Sequence, residues 1–251
     1  MYVSAAVVVT TDSRAQWLAS RWWPPQRPSP VAPVFSNLPQ PRVRPRSDSR
    51  SAILGMFEYS HEHVASGLVL DAVGLLKQRR LRVTLRLLGG PDRSSAPAEA
   101  LLAAAADRGL EHTVDFSGIL SAQDPSDALA SCTILLFAHT VGPVSLNGTL
   151  AASFACGVPL VAIDGPDCWP KLRQSEATRV VVPTSHALAE SIQSLLADEQ
   201  LRDQLGMRGR LLAEREMSIA RTANMVTDLL DNLRVRATTQ WRGVSSYQCG
   251  M

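Results

Sequence analysis

From Ala52 to about Val182, short apolar runs alternate with longer segments in which apolar residues recur at helical spacing. Most of the apolar runs carry no polar residues at alternate positions, which indicates strands buried on both faces, as in parallel sheets. Regular alternation of such strands with helices predicts right-handed crossovers and an open sheet covered by helices on both faces. The pattern therefore predicts an α/β fold with a doubly wound, mostly parallel sheet.

The individual elements follow from the same pattern. The predicted strands cover residues 52–57, 83–88, 113–116, 133–137, 160–163 and 180–182. The predicted helices between them lie at about 68–80, 96–108 and 125–131, and another begins near Gly148. Three more helices follow the last strand, at about 186–197, 199–214 and 218–233, and Ser218 is a suitable N-cap for the last of them. This order is typical of a Rossmann-like domain with C-terminal helices.

The first fifty residues have a different pattern. Residues 3–9 predict a short buried strand, and Thr11 or Asp12 can cap a helix that runs to about Trp22. Residues 31–35 could form another strand. Eight of the 16 prolines lie between Pro24 and Pro45, and proline blocks regular backbone hydrogen bonding. We therefore expect a linker between two domains at the end of this region.

The composition excludes several classes of protein. The chain is 45% hydrophobic and 19% charged, so it can bury a large core. A net charge of +2 is too small to indicate nucleic-acid binding. The four cysteines form no C-x-x-C pair, and no apolar run approaches the ~20 residues of a membrane span. We expect a cytoplasmic protein without a transmembrane segment or a nucleic-acid partner, and with at most peripheral membrane contact.

Small and polar residues follow the predicted strands, where open α/β sheets bind ligands. They are Gly89-Gly90, Ser117-Gly118, His139-Thr140, Gly142-Pro143 and Asp164-Gly165-Pro166. The strongest candidate is Ser145-Leu146-Asn147-Gly148-Thr149, because free N–H groups at the start of a helix attract phosphate. The same residues are also the turn residues that any α/β protein needs, so the pattern by itself leaves both interpretations open.

Several sites of known chemistry are absent from the sequence. It contains no G-x-G-x-x-G after a strand, no P-loop and no G-x-S-x-G elbow, which argues against a dehydrogenase, a P-loop NTPase and an α/β-hydrolase. His61-Glu62-His63 lacks a third ligand at a suitable spacing, so we expect no metal and no cofactor. Asp164 and Asp167 could form a carboxylate pair, but their Gly-Pro context favours capping of backbone groups.

From Ala52 to Leu230, about seven-tenths of the chain, the order of segments resembles the C-terminal domain of retaining GT-B glycosyltransferases of the family-4 type. The segments that carry the resemblance are Ile53-Leu54-Gly55, Leu87-Leu88-Gly89-Gly90, Val114-Asp115-Phe116-Ser117-Gly118 and Ala152-Ser153-Phe154-Ala155-Cys156-Gly157-Val158-Pro159-Leu160-Val161. The last is the most specific, since it is similar to the family's "E-A-M-A-C-G-x-P-V-V".

The resemblance implies transfer of a hexosyl-type group from a nucleoside-diphosphate sugar, without a metal. It implies donor contacts from His61, His63, Gly89, Gly90, Gly118, Ile119, Ser145, Asn147, Gly148 and Thr149. It also implies a division of the chain into a remnant of the acceptor domain, a Pro/Arg-rich linker, a nucleotide-sugar-binding domain, a crossing helix and a flexible tail, over residues 1–36, 37–50, 51–215, 216–234 and 235–251. Most of the acceptor domain would then be absent from this chain.

Some positions depart from the family's pattern. The two carboxylates of the family's E-x7-E motif would fall on Val144 and Ala152. The family's diphosphate-binding Arg and Lys would fall near Met56 and Val64. No residue is therefore assigned as catalytic. Three hypotheses remain: a glycosyltransferase, a non-catalytic nucleotide-sugar-binding or scaffold module that needs a separate acceptor-domain chain, and a truncated chain without a function of its own.

Overall fold

Six parallel strands form one sheet in the computed structural model of this chain, which describes residues 6–21, 29–43, 51–57, 63–90, 93–121 and 124–245. The strands are β1 Ala52–Phe57, β2 Val83–Leu88, β3 Val114–Phe116, β4 Ile134–Phe137, β5 Leu160–Ile163 and β6 Arg179–Val181. Their order in the sheet is β3-β2-β1-β4-β5-β6. In the centre of the sheet, Leu54 pairs with Leu85 on one side and with Ile134 on the other.

Helices precede, connect and follow these strands. Within the described ranges they are α1 Asp12–Ala19, α2 Ser66–Gln78, α3 Ala96–Ala106, α4 Asp124–Ala130, α5 Gly148–Ala155, α6 Pro170–Ser175, α7 Ser185–Ala197, α8 Glu199–Glu216 and α9 Ile219–Ser245. The predicted caps Thr11 and Ser218 are confirmed, because their hydroxyl oxygens accept the N–H groups of Arg14 and Arg221.

The two faces of the sheet carry separate hydrophobic cores. On one face, α2 and α7 pack their apolar residues, such as Val73 and Ile192, against β1, β2 and β5. On the other face, α5 and α8 contribute Phe154 and Leu212. Because helices cover both faces, the strands β1, β4 and β5 are continuous apolar runs. The strands β2 and β3 carry half-buried polar residues at alternate positions, and Arg86 of β2 pairs with Asp115 of β3 at 2.9 Å. The predicted α/β, doubly wound, parallel Rossmann-like fold is confirmed.

The N-terminal region differs from the prediction. Residues 3–9 and 31–35 are not two strands in the described part of the chain; Val9 and Val31 form a single parallel bridge. Prolines explain the short pairing, since Pro30 and Pro33 have no N–H to donate to a ladder. The first helix ends at Ala19, and the position predicted for its end, Trp22, lies outside the described residues.

Other differences lie after β5. The short helix α6 was missed: it has only six residues and ends at Glu176 in a left-handed conformation with φ 49°. The last helix does not end near residue 233 but continues to Ser245. The sequence contains no proline or glycine between Ile219 and Arg242 that would stop it. Residues 235–245 are therefore helical, not a flexible tail as expected. The other predicted boundaries of strands and helices agree with the structure within two residues.

Candidate functional site

The order of the strands places a topological switch point between β1 and β4. The chain passes from β1 to β2 on one side, whereas β4 lies on the other side of β1. In sheets of this type, ligands bind in the crevice at the carboxyl ends of the two strands where the order reverses. The residues that follow β1 and β4 are therefore the centre of the candidate site.

Backbone hydrogen bonds join these two strand ends. The N–H of Ala65 donates to the carbonyl of Ala138 at 2.8 Å, and the N–H of Thr140 donates to the carbonyl of His63 at 2.8 Å. An isolated antiparallel bridge pairs Val64 with His139. The exposed His63 is thus held at the switch point, whereas His61 lies outside the described residues.

His139 also lies at the switch point, although it was not among the residues assigned to the donor. Its imidazole stacks on the ring of Phe137, with the centroids 4.4 Å apart and the planes 12° from parallel. This stacking restricts the orientation of the imidazole at the carboxyl end of β4. The sequence shows that His139 follows a strand, but only the order of strands shows that it faces the residues after β1.

The ends of β2 and β3 form the adjoining part of the same edge. The N–H of Gly89 donates to the hydroxyl of Ser117 at 2.9 Å, which joins the two strand ends. Gly89, Gly90 and Gly118 have φ values of 63°, 86° and 69°, a region that side chains other than glycine rarely adopt. Ile119 follows with 81% of its surface exposed. An open, turn-rich surface of this kind lets a ligand approach the backbone.

A cation that sequence reasoning missed lies in the loop after β2. The guanidinium of the exposed Arg93 stands 5.9 Å from the centroid of the Phe116 ring. A guanidinium over an aromatic ring is oriented by a cation–π attraction. Arg93 therefore adds positive charge beside the ends of β2 and β3. Its place in the sequence, three residues after Gly90, was the available signal.

The amino end of α5 faces the same edge, because α5 follows β4 in the chain. Asn147 caps it, with its side-chain oxygen accepting the N–H of Leu150 at 3.1 Å. The next two residues, the exposed Gly148 and the half-buried Thr149, have backbone N–H groups without an acceptor inside the helix. These N–H groups and the helix dipole favour an anion at this position.

Ser145 precedes α5 by three residues and is 2% exposed. Its hydroxyl donates to the carbonyl of Thr10 at 2.8 Å. Its own carbonyl accepts the N–H of Val34 at 2.9 Å. Ser145 therefore connects the loop before α5 to two stretches of the N-terminal region, and its hydroxyl is used in that connection.

The loops after β4 and β5 pack directly against each other. A Cβ atom on Gly165 would lie 2.2 Å from the carbonyl carbon of Val141, so a side chain does not fit there. Asp164 accepts the N–H of Gly165 and pairs with Arg173 at 2.5 Å. The hydrogen bond from Arg173 lowers the pKa of Asp164 below its ordinary value. As its Gly-Pro context indicated, Asp164 bonds to the backbone of its turn.

The two positions implied for the family's carboxylates carry apolar side chains. Ala152 is 5% exposed within α5 and packs in the core, and Val144 is half-buried in the loop before the helix. In the part of the chain that the structure describes, no three His, Cys, Asp or Glu side chains are grouped as metal ligands. No described helix is long and apolar enough to cross a membrane.

A cavity of about 440 Å³ lies at a different place, between α6, β6 and α8. Leu172, Arg179 and Arg208 are among the residues that line it, and none of the candidate donor residues does. The candidate donor residues lie at the edge formed by the strand ends and the amino end of α5.

Comparison with known proteins gives a family and a fold. Residues 51–198 match the family described as Glycosyl transferases group 1. Among curated proteins, none matches this chain.

Solved structures match over most of the chain. Sucrose-phosphate synthase from Thermosynechococcus elongatus is 17% identical with a TM-score of 0.68, covering 93% of this chain and 59% of its own. Anabaena Alr3699/HepE in complex with UDP-glucose is 16% identical with a TM-score of 0.68, covering 91% and 64%. WaaG, a glycosyltransferase involved in lipopolysaccharide biosynthesis, is 16% identical with a TM-score of 0.64, covering 84% and 58%. This chain therefore spans about three-fifths of the length of these structures.

Proposed function

Because this chain belongs to the glycosyl transferases group 1 family and has the fold of one half of a GT-B enzyme, we propose that it binds a nucleoside-diphosphate sugar and transfers the sugar to an acceptor. The match to Alr3699/HepE, a protein solved with UDP and with UDP-glucose, supports a donor of this chemical class. The acceptor site would be supplied by further residues of a longer protein or by a separate chain.

The amino end of α5 is the observation that carries this proposal. It combines a glycine at its first position, two N–H groups without acceptors in the helix, and a place beside the switch point. A diphosphate at Gly148 and Thr149 would bind these N–H groups and the positive end of the helix dipole. His63 and His139 lie at the neighbouring strand ends, where their imidazoles would donate further hydrogen bonds to the diphosphate.

The rest of the donor would extend along the sheet edge toward β3. Three strand spacings separate β4 from β3, which is about 14 Å at the usual distance between strands. This distance suits an elongated ligand with its diphosphate at α5 and its base at the exposed loop of Gly118 and Ile119. Gly89 and Gly90 would line the middle, where their lack of side chains allows close approach.

Catalysis in such a site would rest on positioning and on stabilisation of the departing diphosphate. Hydrogen-bond donors that are fixed before the reaction stabilise developing negative charge without reorganisation. The α5 N–H groups are fixed in this way, because Asn147 caps the helix and Ser145 holds the loop before it. We assign no side chain as a general acid or base.

The test is calorimetric binding of UDP, GDP, ADP and their common sugar conjugates to the purified chain. We expect micromolar binding of one nucleotide. Gly148→Asp should weaken it about tenfold or more, because a carboxylate would repel the diphosphate and replace charge-assisted bonds of about 1.5–3 kcal/mol. An acidic residue in the first turn also stabilises a helix, so the fold should be retained.

Gly148→Ala is the matched control. The nearest atom to a Cβ at this position is the Val34 Cγ1 at 3.9 Å, so a methyl group fits without a shift. This variant should bind as the natural chain does. Absence of binding across the whole panel by a folded protein would refute the proposed donor site.

A second function is favoured by the apolar side chains at Val144 and Ala152. If the family's carboxylates are needed for transfer, a chain without them would bind the donor and act as a module of a larger assembly. Release of the free nucleoside diphosphate from the bound sugar conjugate separates the two functions. Turnover in the presence of acceptor sugars supports the transferase. Because the transferase proposal places the acceptor site outside this chain, tight binding without turnover supports the module only when the protein that supplies the acceptor site is also present.

A further inference from the structure

Two stretches of the N-terminal region, Val9–Thr11 and Pro30–Val34, form one small unit that we call the clamp. The N–H of Val9 donates to the carbonyl of Pro30 at 3.1 Å, and the N–H of Ala32 donates to the carbonyl of Val9 at 2.8 Å. Val9 and Ala32 are both buried. The two stretches therefore support each other, although about twenty residues separate them in the sequence.

Hydrogen bonds to Ser145 join the clamp to the loop before α5. The Ser145 hydroxyl binds the Thr10 carbonyl from the first stretch, and the Ser145 carbonyl binds the Val34 N–H from the second stretch. Ser145 itself is buried, with 2% of its surface exposed. One serine thus uses its side chain and its backbone to join both halves of the clamp to this loop.

The chain that continues from the clamp is attached a second time, to α4. The hydroxyl of Ser126 donates to the carbonyl of Pro39 at 2.6 Å. The backbone N–H and the guanidinium of Arg42 both donate to the carboxylate of Asp127, at 2.6 and 2.7 Å. The segment is therefore tied at both ends, which limits how far the clamp can move away from the loop.

We infer that Ser145 is a positioning residue for the nucleotide sugar, and that the clamp supports the donor site through its hydrogen bonds to Ser145. This inference rests on the proposed function. Hydrogen-bonding groups that bind a substrate act well only when they are held within about 0.5 Å of the productive geometry. Gly148 lies three residues after Ser145, so a shift of this loop moves the N–H groups that would bind the diphosphate.

Coupling between the clamp and the donor has to be reciprocal. If the clamp stabilises the geometry that binds the diphosphate, then the diphosphate must stabilise the clamp by the same free energy. A purely structural attachment of the N-terminal region would show no such dependence on the ligand. Amide hydrogen exchange of residues 29–36 measures the opening of the clamp, with or without a nucleotide.

The experiment compares Ser145→Ala with Ser131→Ala. The hydroxyl of the half-buried Ser131 also donates to a backbone carbonyl, that of Ala128 at 2.7 Å, but before β4, at the opposite edge of the sheet. We expect Ser145→Ala to speed exchange of residues 29–36 and to raise the Kd of the nucleotide found in the UDP, GDP and ADP panel, each about three- to tenfold. Ser131→Ala should change neither quantity.

A second measurement needs no variant, in case Ser145→Ala fails to fold. A saturating concentration of the same nucleotide should slow exchange of residues 29–36 in the natural chain at least threefold. Unchanged exchange there, or an unchanged Kd in a folded Ser145→Ala protein with an opened clamp, overturns the inference and leaves the proposed function standing. Absence of nucleotide binding by the natural chain overturns both.

Discussion

Gly206 lies inside α8, where this helix contacts the turn that ends α5. A Cβ atom on Gly206 would stand 2.2 Å from the carbonyl oxygen of Gly157 and 3.1 Å from its carbonyl carbon. Gly157 itself has φ 70°, and its N–H donates to the carbonyl of Phe154 at 3.0 Å, so this turn is held in place. Gly74, inside α2, offers a contrast, because a Cβ there would meet no atom within 4 Å.

Replacement of these two glycines by alanine should change the free energy of unfolding in opposite directions. In a helix interior, alanine is favoured over glycine by about 1 kcal/mol, and Gly74→Ala should stabilise the protein by that amount. At Gly206 the helix must move by about 1 Å to reach an ordinary carbon–oxygen contact. A helix displaced by this distance leaves a gap in the core, and a gap of that size removes a quarter to a half of the dispersion attraction between the atoms on its two sides.

Overpacking of this kind costs about 1–3 kcal/mol, and backbone atoms that cannot rotate away place Gly206→Ala at the upper end. After the gain in helix propensity, we expect a net loss of about 2 kcal/mol in the free energy of unfolding. For a chain of this length that corresponds to a Tm about 4–8 °C lower, whereas Gly74→Ala should raise Tm by about 2–4 °C.

The assay is unfolding of the natural chain and both variants by urea and by heat, followed by circular dichroism. If Gly206→Ala is as stable as the natural chain while Gly74→Ala is more stable, the close approach of α8 to the Gly157 turn is not a constraint on the fold. A loss of stability in both variants would contradict the assignment of open space at Gly74.

Two further predictions concern a buried carboxylate and a loop contact. Burial raises the pKa of Glu216, but the hydrogen bond from Lys171 at 2.6 Å and the charges of Lys171 and two arginines outweigh this effect and lower the pKa below 4.5. Glu216→Gln should therefore lower the free energy of unfolding by about 2 kcal/mol at pH 6–8, and this difference should disappear as the pH falls through and below about 4.5. Urea titrations at each pH measure it, and the exposed Glu214→Gln, as the control, should change the free energy of unfolding very little. Gly165→Ala should lower the free energy of unfolding by about 3 kcal/mol, because its Cβ would lie 2.2 Å from the Val141 backbone; a stable, nucleotide-binding variant would contradict this packing.

Much of the candidate site could be located from sequence, because strand ends and helix starts have local signals. Glycines mark the turns after β2 and β3, and Asn147-Gly148 marks the start of α5. The direct role of each residue toward a donor stays a prediction. Ser145 shows the limit of local signals: its partners, Thr10 and Val34, are 135 and 111 residues away in the chain, and no pattern near Ser145 indicates them.

The alternation of apolar strands and amphipathic helices determined the fold class, since burial on both faces of a sheet requires apolar residues throughout its central strands. The caps at Thr11 and Ser218 were likewise determined by short-range chemistry. The order of the strands was decided only in the tertiary structure, because it depends on which helices pack together across the sheet. That order places His139 beside the residues after β1, which no local pattern indicates.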